Sequence, residues 1–174
     1  MSKKSSRMPR KSREGVRVLA IDPGFGRAGM AVLERASGKD ILLYSSCVVT
    51  NKTDDFSKRL HLVCTAARKL ITDHRPTLFA IERLYFATNQ KTAMQVAEVR
   101  GALLALAAAH DVIIVEYTPL QVKVAVTGFG RSGKREIMKM IPLLVKFPEE
   151  KKRLDDEYDA IAIGLTALAS YRLE

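Results

Sequence analysis

Val18–Val32 reads VLAIDPGFGRAGMAV, and the architecture follows from this stretch. An apolar run from Val16 to Ile21 is closed by Asp22-Pro-Gly-Phe-Gly-Arg, and a second run resumes over Gly29–Leu33. Short apolar runs bounded by Pro and Gly are strands separated by a turn. A third run, Ile41–Thr50, follows Ser-Gly-Lys-Asp, so three strands come in succession. Downstream, Thr53 or Asp54 can cap a helix running to about His74. There Phe56, Leu60, Val63, Ala67, Leu70 and Ile71 recur at helical spacing before Pro76.

The rest of the chain alternates. Leu78–Glu82 reads as a fourth strand and Val112–Glu116 as a fifth. Between them, a long helix is predicted from Thr88 or Asn89 to His110. Past Gly101 it is apolar nearly all round, which suits a helix buried on both sides or one given to a subunit interface. Thr118-Pro119 is an N-cap followed by a first-turn proline. A Gly-rich loop at 128–133, a helix from about Lys134 and a last helix from about Asp156 to Tyr171 complete the chain. Together these elements predict an α/β fold with a mixed sheet flanked by helices.

Acidic residues stand where packing gives them no reason to be. Asp22 ends the first strand after Val-Leu-Ala-Ile, and Glu82 ends the fourth after Leu-Phe-Ala-Ile. Carboxylates at strand ends suit a hard cation, because Mg²⁺ takes one or two protein oxygens and completes its octahedron with water and phosphate. The third station is Asp155-Asp156-Glu157-Tyr158-Asp159, at the start of an apolar helix. Helix-terminal acids are worth about 0.3–1 kcal/mol against the dipole, which accounts for one or two of these but not all four. Asp156 and Asp159, three apart, share a helix face; so do Asp155 and Asp159, four apart.

With 29 Lys+Arg against 19 Asp+Glu, the 174-residue chain carries +10 and favours a polyanionic partner. Residues 1–13, MSKKSSRMPRKSR, hold six of these charges and no acid, leaving +4 on the remainder. Residues 1–14 are therefore expected to be a disordered basic arm able to hold a polyanion such as nucleic acid by salt-sensitive contacts, and residues 15–174 one folded domain. The arm lacks the apolar core of a secretory signal, while its Arg/Ser-rich composition leaves a transit peptide as an alternative. The longest uncharged apolar stretches are too short to span a bilayer, so a cytoplasmic protein without a membrane partner is expected. Cys47 and Cys64, lacking ligand spacing, are expected to be buried free thiols.

VLAIDPGFGRAGMAV, FAIERLYFATNQKTAMQVAEVRG, VEYTPLQVKVAVTGFGRSGK and DDEYDAIAIG, in this order and spacing, resemble the RuvC-type Holliday junction resolvases of the RNase H-like superfamily. The resemblance spans Val16 to Leu168. It implies a five-stranded mixed sheet with the first strand between the second and fourth. It also implies that Asp22, Glu82, Asp156 and Asp159 are the catalytic, metal-binding positions. Two Mg²⁺ per site, replaceable by Mn²⁺ and about 3.5–4 Å apart, would then activate water and stabilise the departing oxygen. Tyr85 matches an aromatic position used at the junction centre, with Phe86 beside it, and Lys123 and Lys134 match lysines near the scissile phosphate. Arg131 and Arg135 add candidate phosphate contacts. The implied activity is a homodimeric endonuclease nicking opposed strands of a four-way DNA junction, with branch-migration helicase machinery as a further partner. Glu157 and Tyr158 depart from the small residues usual between the last two acids, and the N-terminal arm is an addition.

Three other readings are open to test. One is an RNase H-like nuclease acting on RNA or an RNA–DNA hybrid, and another is a junction-binding protein that does not cut, which four intact acids disfavour. The third is nucleotide hydrolysis at Gly128–Arg135. That segment satisfies G-x-x-x-x-G-K but has Arg where a phosphate loop needs Ser or Thr for Mg²⁺. Asp22-Pro-Gly-Phe-Gly also resembles the first phosphate loop of actin/Hsp70-like ATPases, but the chain is too short for their paired domains.

Overall fold

The computed structural model describes residues 15–84, 90–149 and 151–171. The basic arm, Tyr85 and Phe86 lie outside the described residues. In chain order the elements are β1 (Val16–Asp22), β2 (Arg27–Ala36), β3 (Lys39–Val49), α1 (Phe56–His74), β4 (Leu78–Glu82) and α2 (Gln90–Ala109). They are followed by β5 (Ile113–Tyr117), α3 (Pro119–Thr127), α4 (Lys134–Leu144) and α5 (Asp155–Ser170). The five strands form one sheet in the order β3-β2-β1-β4-β5. β1 pairs antiparallel with β2 and parallel with β4, so the first strand lies between the second and the fourth.

The two-residue period of the strands divides the core into two layers. Val18 and Ala20 of β1, with Leu78 and Ala80 of β4, face one layer, where α5 supplies Ala160, Ile161 and Ile163 and α4 supplies Ile137 and Ile141. Leu19, Ile21, Phe79 and Ile81 face the other, against Val63, Ala67 and Leu70 of α1 and Val99 and Leu103 of α2. Both faces of the sheet are covered, which is why its central strands read as continuous apolar runs.

Several local expectations are corrected. α1 starts at Phe56 rather than at Thr53 or Asp54; Asp55 precedes it without a side-chain cap, and Asp54 instead pairs with Lys58 at 2.8 Å. β5 is shifted by one residue, because Tyr117 still pairs with Glu82. α5 begins at Asp155, one residue early. The Thr118 cap is present: its Oγ1 accepts from the Gln121 N–H at 3.2 Å, and the Gln121 side chain accepts from the Thr118 N–H at 2.8 Å. Cys47 and Cys64 are free as expected, but half-buried rather than buried. The long α2 buries Val99, Leu103 and Leu106 and exposes Met94, Ala97, Gly101, Ala105 and Ala108, so it is a one-sided core helix with a second apolar stripe in solvent.

Candidate active site

Strand parity brings the first two acids together. Asp22 and Glu82 continue the even-numbered face of β1 and β4, and the parallel register sets Ile21 beside Ile81, so the next residue on each strand is a carboxylate on the α5 side. α5 then reaches unusually close to the sheet. Gly29, which pairs with Asp22, lies so near the Asp156 carbonyl that a Cβ on it would overlap that group, and a Cβ on Gly164 would overlap Leu33. A glycine inside a strand marks such close backbone approach, a signal available in the sequence.

Asp22, Glu82 and Asp159 line one cavity of about 300 Å³, together with Lys123 and Lys134 and with Pro119, Val122, Ile137, Ala162 and Ile163. Burial pushes the Asp22 carboxyl up to about 7, reinforced by the charges of Asp159, Glu82 and Asp156 and opposed by Lys134. Glu82 is raised by burial and by Asp159, with Lys123 opposing. Lys134 donates to Asp159 Oδ2 at 2.9 Å and lies 3.6 Å from Asp155. Partial burial pulls its ammonium down, but the bond to Asp159 and the two aspartate charges raise it on balance. The negative charge at this site is under-compensated by the protein's own cations.

Asp156 is turned differently from its neighbours. It is not among the residues lining the cavity, although its charge reaches Asp22. Arg27 Nε lies 3.2 Å from its Oδ2, yet this oxygen is buried and accepts no hydrogen bond among the described residues. Glu157 is anchored away from the site: it accepts from Ser45 Oγ at 2.7 Å and from the Leu154 N–H at 3.2 Å, with Lys151 at 3.4 Å. Its carboxylate therefore ties the start of α5 to β3. Cys47 is Gly29's neighbour on β3, and its thiol is pushed up to about 11 by burial and by Asp156, with Arg27 opposing, so it stays protonated.

The donor set matches the chemistry of a hard divalent cation, since every candidate ligand is a carboxylate oxygen and one of them is buried without a hydrogen bond among the described residues, facing only the Arg27 ion pair. Among the described residues, no three His, Cys, Asp or Glu side chains are gathered closely enough to hold an ion by themselves. Mg²⁺ needs only one or two protein oxygens besides water and phosphate, so the acids fit it in this looser sense.

Lys123 and Lys134 thus join the acids, whereas Arg131 and Arg135 are exposed and do not line the cavity. The sequence reading missed Arg27, Glu157 and Gly29. Arg27 and Glu157 carry no local signal, because their partners are distant in the chain.

Residues 18–167 match the family model of Crossover junction endodeoxyribonuclease RuvC. The chain is 41% identical over 145 residues to the Crossover junction endodeoxyribonuclease RuvC of Petrotoga mobilis, covering 83% of this chain and 88% of that one. The structure of Thermus thermophilus RuvC in complex with Holliday junction substrate superimposes with a TM-score of 0.80 at 29% identity, over 87% of this chain and 92% of that one. The yeast mitochondrial Holliday junction resolvase Ydc2 shares the fold, with a TM-score of 0.69 at 18% identity, over 89% of this chain and 78% of that one. With the family model matched along most of its length, the chain belongs to the RuvC crossover junction endodeoxyribonucleases.

Proposed function

We propose that this resolvase cuts four-way DNA junctions by metal-assisted phosphodiester hydrolysis in the cavity lined by Asp22, Glu82 and Asp159, with Asp156 at its edge. The observation that carries this reading is the gathering of under-compensated carboxylates from two strands and one helix beside two lysines. Asp156 is favoured over Asp155 as the further ligand because its charge acts on Asp22, while Asp155 is exposed and turned to Lys134. Magnesium, when bound, supplies an acidified water and stabilises the departing oxygen. The carboxylates of Asp22, Glu82, Asp156 and Asp159 hold it; no covalent bond from protein to DNA is required. Lys123 and Lys134 orient the phosphate and offset its charge. Tyr85 and Phe86 are assigned to the junction centre, and Arg131 and Arg135 to outlying phosphates. The basic arm, residues 1–14, adds salt-sensitive affinity.

Paired nicks on a two-fold substrate call for a two-fold enzyme, and the exposed stripe of α2 is the proposed interface. No helix of the described residues is long and apolar enough to cross a membrane. We assign the activity to chromosomal recombination and repair intermediates in the cytoplasm, alongside branch-migration helicase machinery.

The test is a cleavage gel comparing a four-way junction, a linear duplex and an RNA–DNA hybrid, with Mg²⁺ or EDTA. Junction-selective nicking that needs Mg²⁺ is expected, and Asp22→Asn is expected to slow it by at least about a thousandfold. Cutting by Asp22→Asn at the wild-type rate would remove this cavity as the active site, and preferential cutting of the hybrid would favour the RNA-directed reading.

A further inference from the structure

The segment Gly128–Gly133 joins α3 to α4. Lys123 on α3 and Lys134 at the start of α4, the two lysines of the carboxylate cavity, flank it. The turn is braced from within. Thr127 Oγ1 accepts from the Phe129 N–H at 3.2 Å and lies 2.7 Å from Ser132 Oγ, and the Ser132 N–H donates to the Phe129 carbonyl at 3.2 Å. Gly130 sits so close to α3 that a Cβ on it would overlap Leu120. Phe129, between these fixed points, is 75% exposed. A braced loop that keeps a phenyl ring in water forgoes the gain of burying it, so the ring needs another explanation.

A second cavity supplies one. Thr118, Pro119, Leu120, Lys123 and Gly130 line a space of about 330 Å³, which shares Pro119 and Lys123 with the carboxylate cavity. A groove therefore leads from the acids to the residue next to Phe129. Lys123 lines it, and the exposed Arg131 follows Gly130 in the chain, while Lys134 at the far end of the loop is bound to Asp159 and Asp155. Glu136, in the first turn of α4, is turned back onto the Gly133 N–H. Positive charge along a groove with an exposed aromatic at its end is how proteins hold an unpaired strand, the backbone by charge and a base by stacking.

We propose that this groove is a nucleotide subsite beside the scissile phosphate, in which Phe129 stacks on the base of one nucleotide flanking the cut. This rests on the reading that the strand is cut in the carboxylate cavity. The stack holds a base that the acids and lysines, which address only phosphate, cannot recognise. Phe129 then positions the strand beside the cut without selecting a base, since every base offers a π-face.

The full-length chain carrying Asp22→Asn, which retains the groove, is bound in Mg²⁺ to four-way junctions with 2-aminopurine placed in turn at each nucleotide flanking the cut. Quenching is expected at one position, lost in Phe129→Leu, which keeps apolar bulk without a π-face, and restored in Phe129→Trp. In the otherwise unaltered chain, Phe129→Leu is expected to slow single-turnover cleavage about tenfold with the same Mg²⁺ dependence. Quenching and cleavage unchanged in Phe129→Leu would overturn the subsite. Continued cutting by Asp22→Asn would instead overturn the placement of the active site, whatever the probe reports.

Discussion

Asp22 shows what a buried carboxylate costs a fold. Its carboxyl is raised to about 7 from an ordinary value of 3.8, so the folded chain binds this proton more tightly than the unfolded chain does. The stabilisation it gives is complete below about pH 4 and is lost as pH rises through about 7; Glu82 acts in the same direction. In EDTA, urea unfolding should show Asp22→Asn to be more stable than wild type at pH 8, by about 2 kcal/mol, with little difference at pH 4. An equal gap at both pH values would mean that Asp22 does not hold its proton as its surroundings require. The location of this residue was legible in the sequence because an acid closing an apolar strand has few structural uses. Its environment was not legible in spacing, since Asp159 and Lys134 reach it from more than a hundred residues away; only the family resemblance had grouped them with it.

At the scale of elements, the acids of α5 are brought to Asp22 of β1 by close packing. Gly29 beneath the Asp156 carbonyl is the narrowest point. Gly29→Ala must push the start of α5 off the sheet. It should cost about 1–3 kcal/mol in urea unfolding, as overpacking does, and reduce cleavage by more than tenfold even where the protein is fully folded. Activity lost only in proportion to the unfolded fraction would show that the helix position does not set the site. Most elements could be read from periodicity and turn residues, and the Thr118-Pro119 start of α3 from its capping chemistry. The start of α1 was misplaced because polar residues before a helix compete for the cap, and here none takes it. Glu157 read as one more acid in a cluster; its bond to Ser45 on β3 is a tertiary fact with no trace in spacing.

The whole molecule leaves one face of α2 without a partner among the described residues. Gly101 on that face is informative because a Cβ there meets nothing within 4 Å among the described residues. Gly101→Glu should therefore fold at least as well as wild type, helped by about 0.5–1 kcal/mol of helix propensity, while weakening self-association at least tenfold in analytical ultracentrifugation. A wild-type chain that sediments as a monomer at micromolar concentration would count against the paired-nick reading. The net charge of +10 pointed to a polyanion but not to what is done with it, because the acids proposed for the chemistry lower the very sum that suggested it. The even-numbered parity of Asp22 and Glu82 has a last consequence, for how this protein can change over generations. Lengthening or shortening β1 or β4 by one residue would turn a carboxylate towards α1 and α2, whereas a residue added at the Ser37-Gly38 turn moves neither acid. Tolerance to insertion is thus stepwise in the two central strands and graded at the rim, so drift in length should accumulate at β3 and spare the two strands that carry Asp22 and Glu82.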